Sequence, residues 1–336
     1  MNFMRAEKNI YLKGPYAALP EQIMSNQAVL DWMGSSQNPA VISFSTGIRN
    51  RRWVSEEQAC SDLAILAAEK LFAAKPQEKP KINQIILATI SGDYVSPPTS
   101  PLIQYRLGLQ NTGAFDVGAA CAGFVVGLHT SAAIAQASLG SVLLIASEVR
   151  SKFLNKDNFA TSVLFGDGAA ACVVATEPEH AEFRFIASAL FADGEVSDTV
   201  STPAGGSRLP AGQCTNPEQF YITIKENTAL FVKAVHGMVY GAQAFLKELK
   251  LTPADIQWLV PHQGNKNLVL AVAKQLGFAD EQVMKTVEET GNTSGSSVGI
   301  ALDALRQHAA IKAQDKVLLV AAGGGGIAAC ALLEVI

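Results

Sequence analysis

The sequence predicts a mixed α/β protein made of two duplicated halves, residues 1–178 and 179–336. Two observations carry that expectation. Apolar runs of strand length alternate with segments of helical period, the pattern of a sheet covered on both faces by helices. In addition, four segments of the first half recur, in the same order, in the second.

The recurrence begins with INQIILATISG (82–92) and IQWLVPHQGN (256–265), each a buried strand run ending in a polar turn. DVGAACAGFVVGLHTSAAIAQ (116–136) and GNTSGSSVGIALDALRQH (291–308) are small-residue turns that enter helices. SVLLIAS (141–147) is echoed by KVLLVAA (316–322), and GDGAAACVVATE (166–177) by GGGIAACALLEV (324–335). The helices over 117–138 and 294–308 are small or apolar on most faces, which places them centrally, between sheets. A covering helix is expected over 228–249, and the Gly- and Pro-rich stretch 178–220 is expected to be connecting loop. Duplication sets two equivalent strand ends side by side, so a site at the junction can draw groups from both halves.

The chain has 336 residues, of which 49% are hydrophobic and 17% charged, with a net charge of −4. Its mean hydropathy is +0.19. That is a large core under a thin polar shell. No uninterrupted apolar run is long enough to span a bilayer, and MNFMRAEKNI lacks a signal-peptide pattern, so a soluble cytoplasmic protein is expected. The negative charge argues against nucleic acid as the main partner. Five cysteines are widely spaced, with no CxxC pair and no His/Cys cluster; neither a metal site nor a disulfide framework is expected.

Cys121 sits where an apolar strand turns through Ala119 and Ala120 into a helix. A thiol there meets the positive end of the helix dipole and the free N–H groups of the first turn, which favour the thiolate. A small core cysteine in an alanine-rich helix fits the same residues. His262 ends a buried strand run, and Asn292 precedes the matching helix of the second half. A cysteine with His and Asn from distant parts of a chain is a recurring catalytic set. A strand-end histidine and a turn asparagine would also account for them.

TGIRNR (46–51), DVGAACAGF (116–124), FGDGAAA (165–171), LVPHQGN (259–265), GNTS (291–294) and GGGG (323–326) stand in one order along the chain. With these motifs the chain resembles the ketoacyl-ACP synthase III branch of the thiolase superfamily, from about residue 9 to the C-terminus. The resemblance implies a five-layered αβαβα fold, a homodimer, acyl thioester substrates carried on an acyl carrier protein, and no cofactor. It implies Cys121 as the acyl-accepting nucleophile, His262 and Asn292 as its partners, and an oxyanion hole from the N–H groups of Cys121 and Gly324. The reaction implied is decarboxylative Claisen condensation.

Several positions depart from the family pattern. The residues that grip the CoA adenine in primer-specific members are replaced by Val41, Ser45 and Phe159, so carrier-bound acyl groups of medium or long chain are expected in place of acetyl-CoA. Ser96 stands where a bulky aromatic closes the acyl pocket, and Ala328 where a Trp is usual; both enlarge the expected substrate pocket, which Phe159 joins. Gly264 and the run GNTSGSSVG are expected to loosen packing around Asn292. Lys266 and Lys274 on the helix after His262, with Lys233 on another helix, are candidates for docking an acidic carrier. Specialised lipid or polyketide assembly fits these departures. Two other readings keep the fold: an acyltransferase moving the Cys121 acyl group to oxygen or nitrogen, and a non-catalytic partner subunit.

Overall fold

A computed structural model describes residues 2–225 and 227–336. Nine strands form one continuous sheet: β1 (Asn2–Ala18), β2 (Ile82–Ala88), β3 (Gly113–Val117), β4 (Ser141–Glu148), β5 (Gly168–Ala175), β6 (Phe183–Ala192), β7 (Trp258–Pro261), β8 (Lys316–Gly323) and β9 (Ile327–Val335). Their order is β7-β8-β9-β6-β1-β5-β4-β2-β3. The pairing is symmetric about the junction of β1 and β6. On one side β3, β2 and β4 run parallel and β5 and β1 follow antiparallel. On the other, a single parallel bridge at Val283, then β7 and β8, run parallel, and β9 and β6 follow antiparallel. The second half thus repeats the first, with its outermost strand reduced to one bridge.

Five helices complete the layers: α1 (Cys60–Ala74), α2 (Gly123–Gln136), α3 (Asn227–Glu248), α4 (Lys266–Leu276) and α5 (Ser297–Arg306). All eight residues of β4 and of β5 are buried, because both faces are covered. α1 buries Leu63, Ala67 and Leu71 against Ile85, Leu143 and Val173 on one face. The central layer is α2 with α5: Phe124, Leu128, Val298 and Leu302 pack between Leu144 and Val174 of one half and Val260 and Leu319 of the other. α3 and α4 cover the far face through Phe245, Leu246, Val269 and Val272 on Leu259 and Leu318. Each such side chain contributes about 1.5–3 kcal/mol by leaving water. The layers read helix, sheet, helix, sheet, helix.

Two expectations need correction here. The stretch 178–220 contains β6, a ten-residue strand that pairs β1 on one edge and β9 on the other. Its run FRFIASALFA is flanked by charged and Gly-rich segments that mask it. The second concerns GNTSGSSVG, which is tightly packed. A Cβ at Gly299 would lie 2.6 Å from the Phe124 ring, and one at Gly295 would lie 2.8 Å from the Ala120 carbonyl oxygen. Small residues there admit neighbouring groups and leave no slack.

Candidate active site

Two turns meet at the centre of the molecule. One is the single 3-10 turn Ala120–Ala122 that opens α2; the other is Ser294–Ser296, which opens α5. Each begins with a non-glycine residue in the left-handed region, Ala120 at φ 45° and Ser294 at φ 51°. Counted from those residues, Cys121 occupies the position that Gly295 occupies in the second turn.

The Cys121 sulfur is 3.7 Å from Ser294 Oγ. The N–H of Gly324 lies near enough to favour its ionised form. A Cβ at Gly323 would lie 2.8 Å from the Cys121 nitrogen, so only glycine lets β8 end against the nucleophile turn. Burial, with the nearby Glu148, pushes the thiol above its ordinary value, although Ser294, Arg150 and the Gly324 N–H pull the other way. The expected helix-end activation is therefore outweighed by loss of solvent.

His262 directly follows β7 and is buried. Its Nδ1 is 2.8 Å from Ser297 Oγ, and the same oxygen accepts the Gln263 N–H at 3.3 Å. Using every group, the Ser297 proton goes to Nδ1, which leaves the ring proton on Nε2. Burial lowers the imidazole to about 4, so the ring is neutral at pH 7. Asn292 is stitched to the FGDG segment: its N–H donates to Leu164 O at 2.8 Å, and its carbonyl accepts the Gly166 N–H at 3.1 Å. Its side-chain Oδ1 accepts the Ser294 N–H at 2.9 Å, which leaves the amide NH₂ as the donor. Asp167 of FGDG accepts the N–H groups of Arg150, Ser151 and Val54 and thereby fixes the loop after β4.

Behind Ser294 lies Glu148, at the end of β4. Its Oε1 accepts the Ser294 hydroxyl at 3.4 Å and its Oε2 accepts the Ser91 hydroxyl. Burial raises this carboxyl.

A cavity of about 1140 Å³ joins Cys121, His262, Asn292 and Gly324, together with Phe159 and Ala328. Its lining also includes the exposed residues Ser45, Lys233 and His236, and Asn265. Ser96 is not there: it lies on an exposed loop and does not line the cavity. Lys266 is ion-paired with Glu288 at 2.9 Å, whereas Lys274 is exposed on the last turn of α4. Trp32 and Trp53 pack edge to face on each other, 5.1 Å apart. Sequence reading missed Ser294, Ser297, Glu148 and Arg150; the only signal for the first was its place in GNTS.

The layered fold with a cysteine at a central helix start defines a thiolase-type acyl-transferring enzyme. Residues 115–194 match the family model for 3-oxoacyl-[acyl-carrier-protein] synthase III, and residues 246–335 match the model for its C-terminal part. A β-ketoacyl-[acyl-carrier-protein] synthase III of Chlamydia muridarum is 39% identical over 323 residues, covering 96% of this chain and 97% of the relative. The crystal structure of 3-oxoacyl-(acyl carrier protein) synthase III from Pseudomonas aeruginosa superposes with a TM-score of 0.87 at 32% identity, over 97% of this chain and 98% of that one. A priming β-ketosynthase of a polyketide pathway superposes with a TM-score of 0.87 at 26% identity, over 99% and 98%. The chain belongs to the 3-oxoacyl-[acyl-carrier-protein] synthase III family.

Proposed function

We propose that the chain is a ketosynthase that loads an acyl group on Cys121 and condenses it with a malonyl-type thioester on an acyl carrier protein. The observation that carries this is the convergence of Cys121, His262 and Asn292 on one cavity beside the Gly324 N–H. In the first step the sulfur attacks the thioester carbonyl, and the N–H groups of Cys121 and Gly324 hold the resulting oxyanion. The thiol proton leaves along Ser294 to Glu148, whose raised affinity suits it to accept one. The carrier thiolate then departs and takes that proton back from Glu148.

In the second step the extender's bond to its carboxyl group breaks, carbon dioxide leaves, and the electron pair becomes an enolate. The His262 Nε2–H and the Asn292 NH₂ donate to that enolate oxygen, each worth about 3–4 kcal/mol where charge grows. The enolate carbon then bonds to the acyl carbon and expels the Cys121 thiolate. Residues 1–178 supply the nucleophile and 179–336 the donors.

Tyr94, Val95, Tyr105 and Phe115 are exposed on or beside edge strand β3, which supports a homodimer built on that edge. Lys274, with Lys233 exposed on the cavity lining, supports docking of an acidic carrier. All five cysteines are free, as in a reducing compartment, which supports the cytoplasmic expectation. Among the described residues, no helix is long and apolar enough to cross a membrane. The test is to supply an acyl thioester and malonyl carrier protein and follow both the Cys121 mass shift and β-ketoacyl product. Loading without product would remove the condensing step.

A further inference from the structure

We propose that the wall of the acyl pocket holds a carboxylate subsite built on Arg150, so that the acyl group taken up by Cys121 is one that ends in a carboxylate. This names the substrate class of the site above and rests on the reading of Cys121 as acyl acceptor. Arg150 is 6% exposed and lines the same cavity as Cys121. Its guanidinium stacks on Phe153 and Phe165, at 5.4 and 5.9 Å from the ring centroids. Its Nε has no hydrogen-bond partner, and among the described residues no carboxylate lies within ion-pair distance of it.

The neighbouring acid makes no direct ion pair with it. Glu148 feels the Arg150 charge through space, but its oxygens are taken by the Ser91 and Ser294 hydroxyls and the Ile90 N–H. A buried arginine without a direct ion-pair partner is expensive, and its planar fork matches a carboxylate. The position within the cavity decides which anion. Phe165, on which the guanidinium stacks, forms a backbone bridge with Asn292. Arg150 is itself buried and acts electrostatically on the Cys121 thiol, so it lies among the reacting groups and not with the exposed lining residues, where a carrier phosphate would stay. The extender's own carboxylate is a poor occupant, because holding it in a guanidinium fork would stabilise the state that must lose carbon dioxide. The far end of a short dicarboxylic acyl group remains: Cys121 takes its thioester end and Arg150 its free end.

The experiment loads the full-length protein with matched pairs of thioesters: succinyl against butyryl, glutaryl against pentanoyl, adipyl against hexanoyl. Acylation of Cys121 is read by intact mass. The wild type is expected to favour at least one carboxylated member by about 10⁴-fold, the discrimination typical of a site whose buried polar group would otherwise stay unpaired. Arg150→Leu is expected to reverse that preference and to gain loading by the neutral partner, a gain that misfolding cannot imitate. Arg150→Lys is expected to fall between the two. Equal loading of both members by the wild type, or an unchanged ratio in Arg150→Leu, would overturn the subsite. So would a raised KM for the malonyl thioester in Arg150→Leu with primer choice unaltered. Failure of the underlying reading looks different: acylation by any donor would persist in Cys121→Ala.

Discussion

The turns that open α2 and α5 share one backbone and hold different side chains. Both begin with a residue at positive φ, make a single 3-10 turn and enter a helix of the central layer. In the first, Ala120-Cys121-Ala122-Gly123 is bare except for the sulfur. In the second, Ser294-Gly295-Ser296-Ser297 has lost any side chain at the position of Cys121 and surrounds the gap with hydroxyls. Ser294 reaches the sulfur and Ser297 orients His262. Duplication supplied two identical frames; divergence made one the attacking group and the other its hydrogen-bonding environment.

The largest expected effect comes from emptying the first frame. Cys121→Ala should abolish covalent acylation, and any residual mass increment would break the comparison at its base. Emptying the partner group should separate the two steps. His262→Ala is expected to keep acyl loading but lower β-ketoacyl formation by about 10²–10³-fold, the cost of one preorganised donor; equal loss of both steps would refute the division.

His262 also gives an acid signature. Its neutral ring persists in the fold down to about 4, whereas its ordinary value is 6.5. Between those values the unfolded chain binds the extra proton. The contribution is complete above about pH 6.5 and is lost as pH falls toward 4, on the order of 3 kcal/mol. Denaturant titrations of wild type and His262→Gln should diverge in slope over that window.

Restoring a side chain to the vacated position tests the second frame. Gly295→Ala would place its methyl 2.8 Å from Ala120 O and 2.9 Å from Glu148 Oε1, and should cost about 1–3 kcal/mol of stability by chemical denaturation. The smallest effect belongs to Ser294→Ala. Its hydroxyl lowers the Cys121 thiol, so its loss should move the midpoint of pH-dependent iodoacetamide alkylation upward. A downward shift would mean that Ser294 does not stabilise the ionised sulfur.

Much of this was legible before any coordinates. β2, β4, β7, β8 and β9 announce themselves as apolar runs because covered strands need no polar alternation. Cys121, His262 and Asn292 stand at strand and helix ends within recognisable motifs. Arg150 and Glu148 were not legible, since a charged pair after SVLLIAS reads as the start of a surface loop. Their burial comes from Asp167, Phe165 and the second-half turn, which lie elsewhere in the chain. Ser96 and Lys266 were singled out by residue type alone, and their surroundings come from elsewhere in the chain: the Ser96 loop faces outward, and Glu288 pairs with the lysine.

β1 has a consequence for how the chain reaches its fold. Tyr11–Ala18 of this strand pair with β5, and Asn2–Arg5 with Ile10–Leu12 pair with β6. During synthesis the strand emerges long before either partner exists, and its second edge stays open until residue 190 has been made. Assembly must therefore be dominated by distant contacts and be slow, as such topologies are. A fragment stopped at residue 178 would expose the β6-facing edge of β1 and should self-associate in solution instead of standing as a unit.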